Sequence, residues 1–283
     1  MKKSPLVTIV IPTYNEAKNI KRLLLSIQNQ IYKNSETIVV DDASTDKTVF
    51  IAKKYANKVF SRMHAERSVQ RNYGASKAKG EYLFFLDADM ELTPHVLEDC
   101  ISLVQKNNAK VIVIPEKTVG EGFLSSVRRF EREMYMGDPT VEVARFFELK
   151  AFNEFSGYDA KLTGPEDYDL PYRMLTKHKL FRANHYILHH EKQISLWRLL
   201  KRKYYYAKKG AYYATKHPEL IKTQGNLLFR KAYITHWRNF IKHPLLGVSF
   251  IFIRMLETLA AILGYIDAVG FLAFAKSVVK LLS

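Results

Sequence analysis

Two carboxylates two residues apart, Asp87 and Asp89, follow directly on the apolar run Tyr82 to Leu86. Such a run reads as a strand buried on both faces. Open α/β sheets bind their ligands outside the carboxyl ends of their strands. Carboxylates placed there are suited to a hard divalent cation with oxygen ligands, and that cation can neutralise a phosphate which bare acid would repel. A strand ending in a polar turn would show the same residues, so the reading rests on what converges with it. Two other runs also end in polar clusters, Leu6 to Ile11 in Pro12-Thr13-Tyr14 and Glu36 to Val40 in Asp41-Asp42. A carboxylate can accept from a nucleobase edge and a tyrosine can stack on its face. A further acidic group, Glu166-Asp167 with Asp169, offers a base for an attacking hydroxyl, or equally acids that complement a helix N-terminus. His185, His189 and His190 come later, and imidazole can complete a metal site begun by carboxylates.

The elements that must position these groups alternate. Strands are expected over 6–11, 36–40, 58–60, 82–86 and 111–114. Helical spacing intervenes at Ile20, Leu23, Leu24 and Ile27, at Val49, Ala52 and Ala56, over 66–79, and from Thr93-Pro94 through Val104. Asn15 is a candidate cap for the first helix, and Ser44 or Asp46 for the second. Small Ala75 and Ala78 would let the 66–79 helix approach the sheet. Alternation of this kind predicts a Rossmann-like, mostly parallel sheet with helices on both faces. No GxGxxG or GxxxxGK[ST] loop is present, so phosphate must be held otherwise, which favours a cation at Asp87 and Asp89. Beyond Gly120–Phe123, read as a loop, Phe130 and Met134 share a helix face and 143–149 reads as a strand.

Four ordered stretches, VTIVIPTYNEAKNI, IVVDDAST, RNYGASKAKGEYLFFLDAD and GPEDYDL, resemble an inverting, family 2 type glycosyltransferase of GT-A fold, over roughly residues 6–190. The resemblance implies that Tyr14, in the Pro12 turn, stacks on the nucleobase and that Asp42 contacts it. It implies that Arg71 and Asn72 lie near the nucleotide and that Glu16 is close to the donor. Asp89 would bind Mn²⁺ or Mg²⁺ on the diphosphate, with Asp87 at the ribose or supporting the metal, and His189 or His190 would add a ligand. Asp167 would be the general base, with Glu166 orienting acceptor or sugar. SGYDA, at 156–160, departs from the family's GGFDE-like turn because Ala160 replaces the second acid, and reads as scaffold.

The 283 residues are 47% hydrophobic, enough for a sizeable core, and carry a formal charge of +16, which draws the chain to something anionic. The lone Cys100 excludes an internal disulfide and reads as a buried helix position. The apolar stretch at 6–11 stops at Pro12, too early for a secretory segment. From Lys192 to His217 there are eight Lys or Arg and no acid, interleaved with Trp197 and five tyrosines. That pattern suits base stacking or an interfacial helix on anionic lipid. The run 245–275, with only Arg254, Glu257 and Asp267 charged, favours lipid, as two helices broken near Gly264. A soluble pair of closing helices is the other reading, and Arg254 and Glu257 would pair in either.

The expected organisation is a catalytic domain at 1–190, its nucleotide-sugar half 1–115 and acceptor half 116–190, followed by a basic and apolar helical region at 191–283. The expected reaction moves a sugar from a UDP- or GDP-linked donor to a lipid-linked or glycan acceptor, on the cytoplasmic face of the membrane and without nucleic acid. A soluble enzyme with a non-lipid acceptor is the alternative. A nucleotidyltransferase lacks its glycine- and lysine-rich loop here, and a nucleic-acid binder would meet repulsion from the converging carboxylates.

Overall fold

A computed structural model describes residues 4–138, 141–191, 195–220 and 230–274. The chain forms two compact units, one of residues 1–117, 143–160 and 166–190, the other of 118–142, 161–165 and 191–283. The segment around Phe130 therefore clusters with the C-terminal helices.

In the first unit β1 (Val7–Thr13) lies at the middle of a parallel set with β2 (Ser35–Asp41), β3 (Lys58–Ser61) and β4 (Tyr82–Phe85). The helices between them are α1 (Ile20–Gln28), α2 (Thr48–Tyr55) and α3 (Arg67–Ser76). After β4 come β5 (Met90–Leu92), α4 (Val96–Asn107), β6 (Val111–Val113) and β7 (Glu116–Val119). Then β8 (Ala144–Glu148), α6 (Leu149–Glu154), α7 (Glu166–Met174), β9 (Leu180–Arg182) and β10 (Ile187–His190) complete the unit, α5 (Phe123–Tyr135) being part of the other. The sheet order is β3-β2-β1-β4-β8-β6-β9. The strand expected over 143–149 enters between β4 and β6 and runs antiparallel to both. A second, three-stranded sheet has the order β5-β10-β7, its β5–β10 ribbon antiparallel.

Alternation along β1 divides the core. Val7, Ile9 and Ile11 pack with Ile20, Leu23, Leu24 and Ile27 of α1 on one face. Val10, Ile38 and Val40 pack with Ala75 of α3 on the other. The closest approach is at Gly74, where a Cβ would come 2.3 Å from Val10 Cγ1; the small-residue signal at Ala75 thus extends one position back. Cys100 is buried in α4, and burial pushes its thiol well above the ordinary range. Asn15 does not cap α1. Its side chain instead accepts from the Thr45 N–H at 2.9 Å, while Asp46 accepts from the Thr48 N–H at the start of α2.

In the second unit α5 (Phe123–Tyr135), α8 (Leu196–Lys209), α9 (Ala211–Lys216), α10 (Lys231–Thr235) and α11 (Trp237–Lys242) accompany α12 (Pro244–Val269). Val127, Phe130 and Met134 of α5 form a core with Phe250 and Ile253 of α12. The break expected near Gly264 is absent, because α12 runs on for 26 residues. Gly264 serves packing instead: a Cβ there would lie 2.2 Å from the Tyr204 carbonyl oxygen of α8. Arg254 and Glu257 pair at 2.7 Å as one face of a helix allows, and both are buried against Glu131 and Arg128 of α5. Val248, Phe252, Met255, Leu259 and Leu263 are each more than half exposed. By length and composition α12 could cross a membrane, but Arg254 and Glu257 are paired inside the unit and the exposed Asp267 pairs with Lys208 at 2.6 Å. Lys192 and Ala275, at the ends of the basic and apolar runs, lie outside the described residues.

Candidate functional site

All the groups described here belong to the first unit. At the ends of β1 and β2 the Asp42 N–H donates to the Thr13 carbonyl at 2.9 Å. Asp42 is buried and its carboxylate is ringed by donors. Oδ1 accepts from the Ala65 N–H at 2.8 Å and Gln70 Nε2 at 2.5 Å, and Oδ2 lies 2.6 Å from His64 Nδ1. A carboxylate only accepts, so His64 donates. Tyr14 is 53% exposed, with its ring centroid 6.1 Å from that of His64. Pro12, paired with Val40 in the register, brings the chain to this edge. Glu16 is tied down locally: its N–H donates to Thr48 Oγ1 and its carboxylate accepts from Asn19 Nδ2, each at 2.8 Å.

Around the end of β4, four acids meet three arginines. Arg71 of α3 is fully buried. It donates to Asp87 Oδ1 at 2.9 Å and to Asp167 Oδ1, and lies 3.9 Å from Glu166. Arg67, one turn earlier on α3, stands 3.4 Å from Glu166 and 3.9 Å from Asp87. Arg145 arrives on β8, 3.4 Å from Asp87, and donates through Nε to Glu116 Oε1 at 2.6 Å. Burying one such charge alone would be prohibitive, whereas the alternating set is mutually compensated. Burial would push the Asp87 carboxyl up, but Arg145, Arg71 and Arg67 outweigh it and hold it well below the usual carboxylate range. Glu166 is shifted the other way, raised by burial and then by Asp167. Asp167 and Glu166 open α7, and Asp169 is buried against Arg173 at 2.8 Å on the next turn.

The ribbon sorts the histidines, because successive strand residues face opposite sides. His189 Nε2 lies 3.5 Å from Asp89 Oδ1, and its Nδ1 lies 3.1 Å from Glu116 Oε2. His190 turns the other way, to Glu91 Oε2 at 2.6 Å. His185 sits at Asp99, 3.3 Å away. Asn72 spends its amide on the backbone of Tyr158, donating to its carbonyl at 2.7 Å and accepting from its N–H at 3.0 Å. It thus clamps the SGYDA turn onto α3.

For a divalent cation the suitable donors are Asp89 and His189, a hard oxygen and an imidazole nitrogen. Among the described residues no group of three or more His, Cys, Asp or Glu gathers as a metal cage, so a bound diphosphate would have to complete the coordination. Asp87 is committed to arginines. Four site residues escaped the motif reading: His64, Arg67, Glu116 and Arg145. Arg67 and Arg71 are four apart, a helical repeat that was visible. Arg145 is a lone cation in the otherwise apolar stretch Val143 to Phe147, which in a buried strand calls for an acidic partner.

The family model for glycosyl transferase family 2 matches residues 8–156. An uncharacterized glycosyltransferase of Rickettsia typhi is 31% identical over 194 residues, covering 61% of this chain and 59% of that protein. The poly(ribitol-phosphate) β-N-acetylglucosaminyltransferase TarP of Staphylococcus aureus is 30% identical over 157 residues, 53% of this chain and 48% of the relative. The chain thus spans 59% and 48% of the length of these two relatives. Among solved structures, the mannosyltransferase PcManGT from Pyrobaculum calidifontis, in complex with GDP-Man and Mn²⁺, has a similar fold. Its TM-score is 0.59 at 18% identity, covering 99% of this chain and 80% of that one.

Proposed function

The chain belongs to glycosyl transferase family 2, and from that premise we propose that it is a GT-A enzyme moving a sugar, with inversion, from a nucleoside diphosphate sugar to an acceptor hydroxyl. The observation that carries the reading is one line of contacts. Asp167 and Asp87 share the buried Arg71, two residues before the Asp89 that faces His189. These contacts support a base and a cation held near one another at the carboxyl edge of one sheet, with a sugar between its diphosphate and its acceptor.

In this reading Tyr14 stacks on the base, uracil or guanine, and Asp42 with His64 reads its edge. Asp89 and His189 would hold Mn²⁺ or Mg²⁺, which when bound would supply electrostatic stabilisation of the departing diphosphate. Asp167 takes the acceptor proton. Arg71 acts through Asp87 and Asp167 more than on the nucleotide directly, since it is fully buried between them. Glu166 shapes the acceptor side as a carboxyl whose proton is held more tightly than usual. Asn72 clamps the SGYDA turn onto α3, which carries Arg71, and Glu16 steadies the loop that carries Tyr14.

The acceptor is lipid-linked and the enzyme lies on the cytoplasmic membrane surface. The exposed apolar face of α12 and the bases of α8 support this, being the two ingredients of interfacial binding. A soluble enzyme with a non-lipid acceptor is the competing assignment. Incubating the full chain with UDP- and GDP-sugars, Mn²⁺ or Mg²⁺, and a membrane lipid extract tests both halves. Metal-dependent donor turnover with a lipid-extractable glycosylated product is expected. Turnover only onto a water-soluble acceptor would overturn the lipid assignment, and no turnover of any nucleotide sugar would overturn the activity.

A further inference from the structure

Glu116 opens β7 just beyond Pro115, outside every motif that marks the site. Its side chain is 15% exposed, and its two oxygens face in different directions. Oε1 accepts from Arg145 Nε at 2.6 Å, and Oε2 meets His189 Nδ1 at 3.1 Å. A carboxylate has no hydrogen to give, so the proton of that second contact belongs to Nδ1. In the neutral ring the other nitrogen, Nε2, is then the acceptor, and it is the one that faces Asp89 Oδ1, 3.5 Å away. An imidazole lone pair beside a carboxylate oxygen is a favourable arrangement when both bind one cation.

We propose that Glu116 is the positioning residue of the cation site. It selects the His189 tautomer that leaves Nε2 able to bind a metal, and it fixes the ring against Asp89. Arg145 is its counter-anchor. The same guanidinium reaches Asp87 at 3.4 Å, and Asp87 in turn holds Arg71, which holds Asp167. The orientation of the histidine is thereby referenced to the group that handles the acceptor proton. This rests on the reading of Asp89 and His189 given above. A carboxylate behind a metal-binding histidine sets both tautomer and basicity, and removing one typically costs about 10–100-fold in metal affinity.

The test uses the full chain and two readouts. The first is Mn²⁺ affinity in the presence of UDP or of GDP, followed by the loss of the free-ion electron paramagnetic resonance signal. Glu116→Ala is expected to weaken it by about 10–100-fold; Glu116→Gln, which can accept from only one of its two partners at a time, by less. The second is the nitrogen-15 resonances of His189, expected to show hydrogen on Nδ1 in the parent protein and a loss of that preference in Glu116→Ala. A carboxylate that served only stability would lower the melting temperature and leave the tautomer alone. A neutral His189 that carries its hydrogen on Nε2 in the parent protein would overturn the proposal, and that measurement, made at a pH where the ring is neutral, decides even if the alanine variant does not fold. Unchanged Mn²⁺ affinity in Glu116→Ala, with weakening in Asp89→Asn and His189→Ala, would overturn the role of Glu116 and spare the cation site. Unchanged affinity in all three would overturn both.

Discussion

Both units bury acids against arginines, and they do so to different ends. In the second unit Glu131 and Glu257 are 8% and 2% exposed and are enclosed by Arg128 and Arg254. In the first, Asp87, Asp89 and Asp167 keep 19%, 23% and 14% of their side-chain surface, while the arginine between two of them has none. The enclosed network fixes how helices pack. The other is anchored from behind and open in front, which is the arrangement chemistry requires of charged groups. Exposure on one side, more than the number of ion pairs, separates a site from a brace.

Substitutions on the open side should cost far more in activity than in stability. Asp167→Asn is expected to lower transfer to a hydroxyl acceptor by about 10²–10⁴-fold, with donor binding retained. Asp89→Asn should abolish the metal dependence of donor binding. Turnover numbers, nucleotide titration with Mn²⁺ and a melting curve on each variant check these. Full turnover by Asp167→Asn would move the base to Glu166.

The enclosed side should behave in the opposite way. Arg254→Ala leaves Glu131 and Glu257 as buried acids short of a partner, at a cost of about 3–5 kcal/mol. Replacing Arg254, Glu131 and Glu257 together by apolar residues of similar volume should recover most of that, because such networks often give no net stability over a packed apolar core. Denaturant midpoints for the single and triple variants measure it. A triple variant no more stable than Arg254→Ala would show that the charges contribute more than mutual compensation.

Glycines bring a helix close in each unit, and the neighbours differ. Gly264→Ala would drive a methyl onto the backbone carbonyl of Tyr204, whereas Gly74→Ala would meet the side chain of Val10. Overpacking costs about 1–3 kcal/mol. The larger loss is expected at Gly264, where a helix must move, and the smaller at Gly74, where a rotamer can give. Reversal of that order in thermal melts would mean that the sheet is the stiffer partner.

Much of the first unit was legible. Apolar runs ending in polar clusters located β1, β2 and β4 and the edge where the carboxylates meet, because a buried parallel strand needs no alternation and must end in a turn. The order of the sheet was not legible. A strand that enters antiparallel between β4 and β6 carries no local mark of its neighbours, so Arg145 could not be matched to Asp87. His189 and His190 could be separated only once the register of a ribbon three to four residues long was known. In α12, Gly264 read as a break because glycine disfavours helix interiors. The burial of α8 against it outweighs that preference, a tertiary contact invisible from composition.

The smallest effects are expected at the surface of the second unit, and they separate its two candidate modes of membrane binding. Arg198, Lys201 and Arg202 of α8 are exposed, and Lys201 lies 5.2 Å from the ring of Trp197, itself 66% exposed. A base near an anionic leaflet contributes about fivefold in affinity, and salt screens it. Contact by the exposed side chains of α12 is apolar and salt does not screen it. Lys201→Gln with Arg202→Gln should therefore weaken binding to phosphatidylglycerol-containing vesicles at low salt by about fivefold per residue. The same pair should change little at high salt or on phosphatidylcholine alone. Phe252→Ser with Leu259→Ser, both more than half exposed, should weaken binding at every salt concentration. Substitution is a cleaner test than truncation, since removing α12 would strip Phe250 and Ile253 from the core they form with α5. Sedimentation with vesicles reads all of these. A parent protein that stays in solution with every vesicle at low salt, and is monodisperse without detergent, would refute membrane association. The lipid-linked acceptor would then lose its main support, and the network around Arg71 would stand as the site of a soluble transferase.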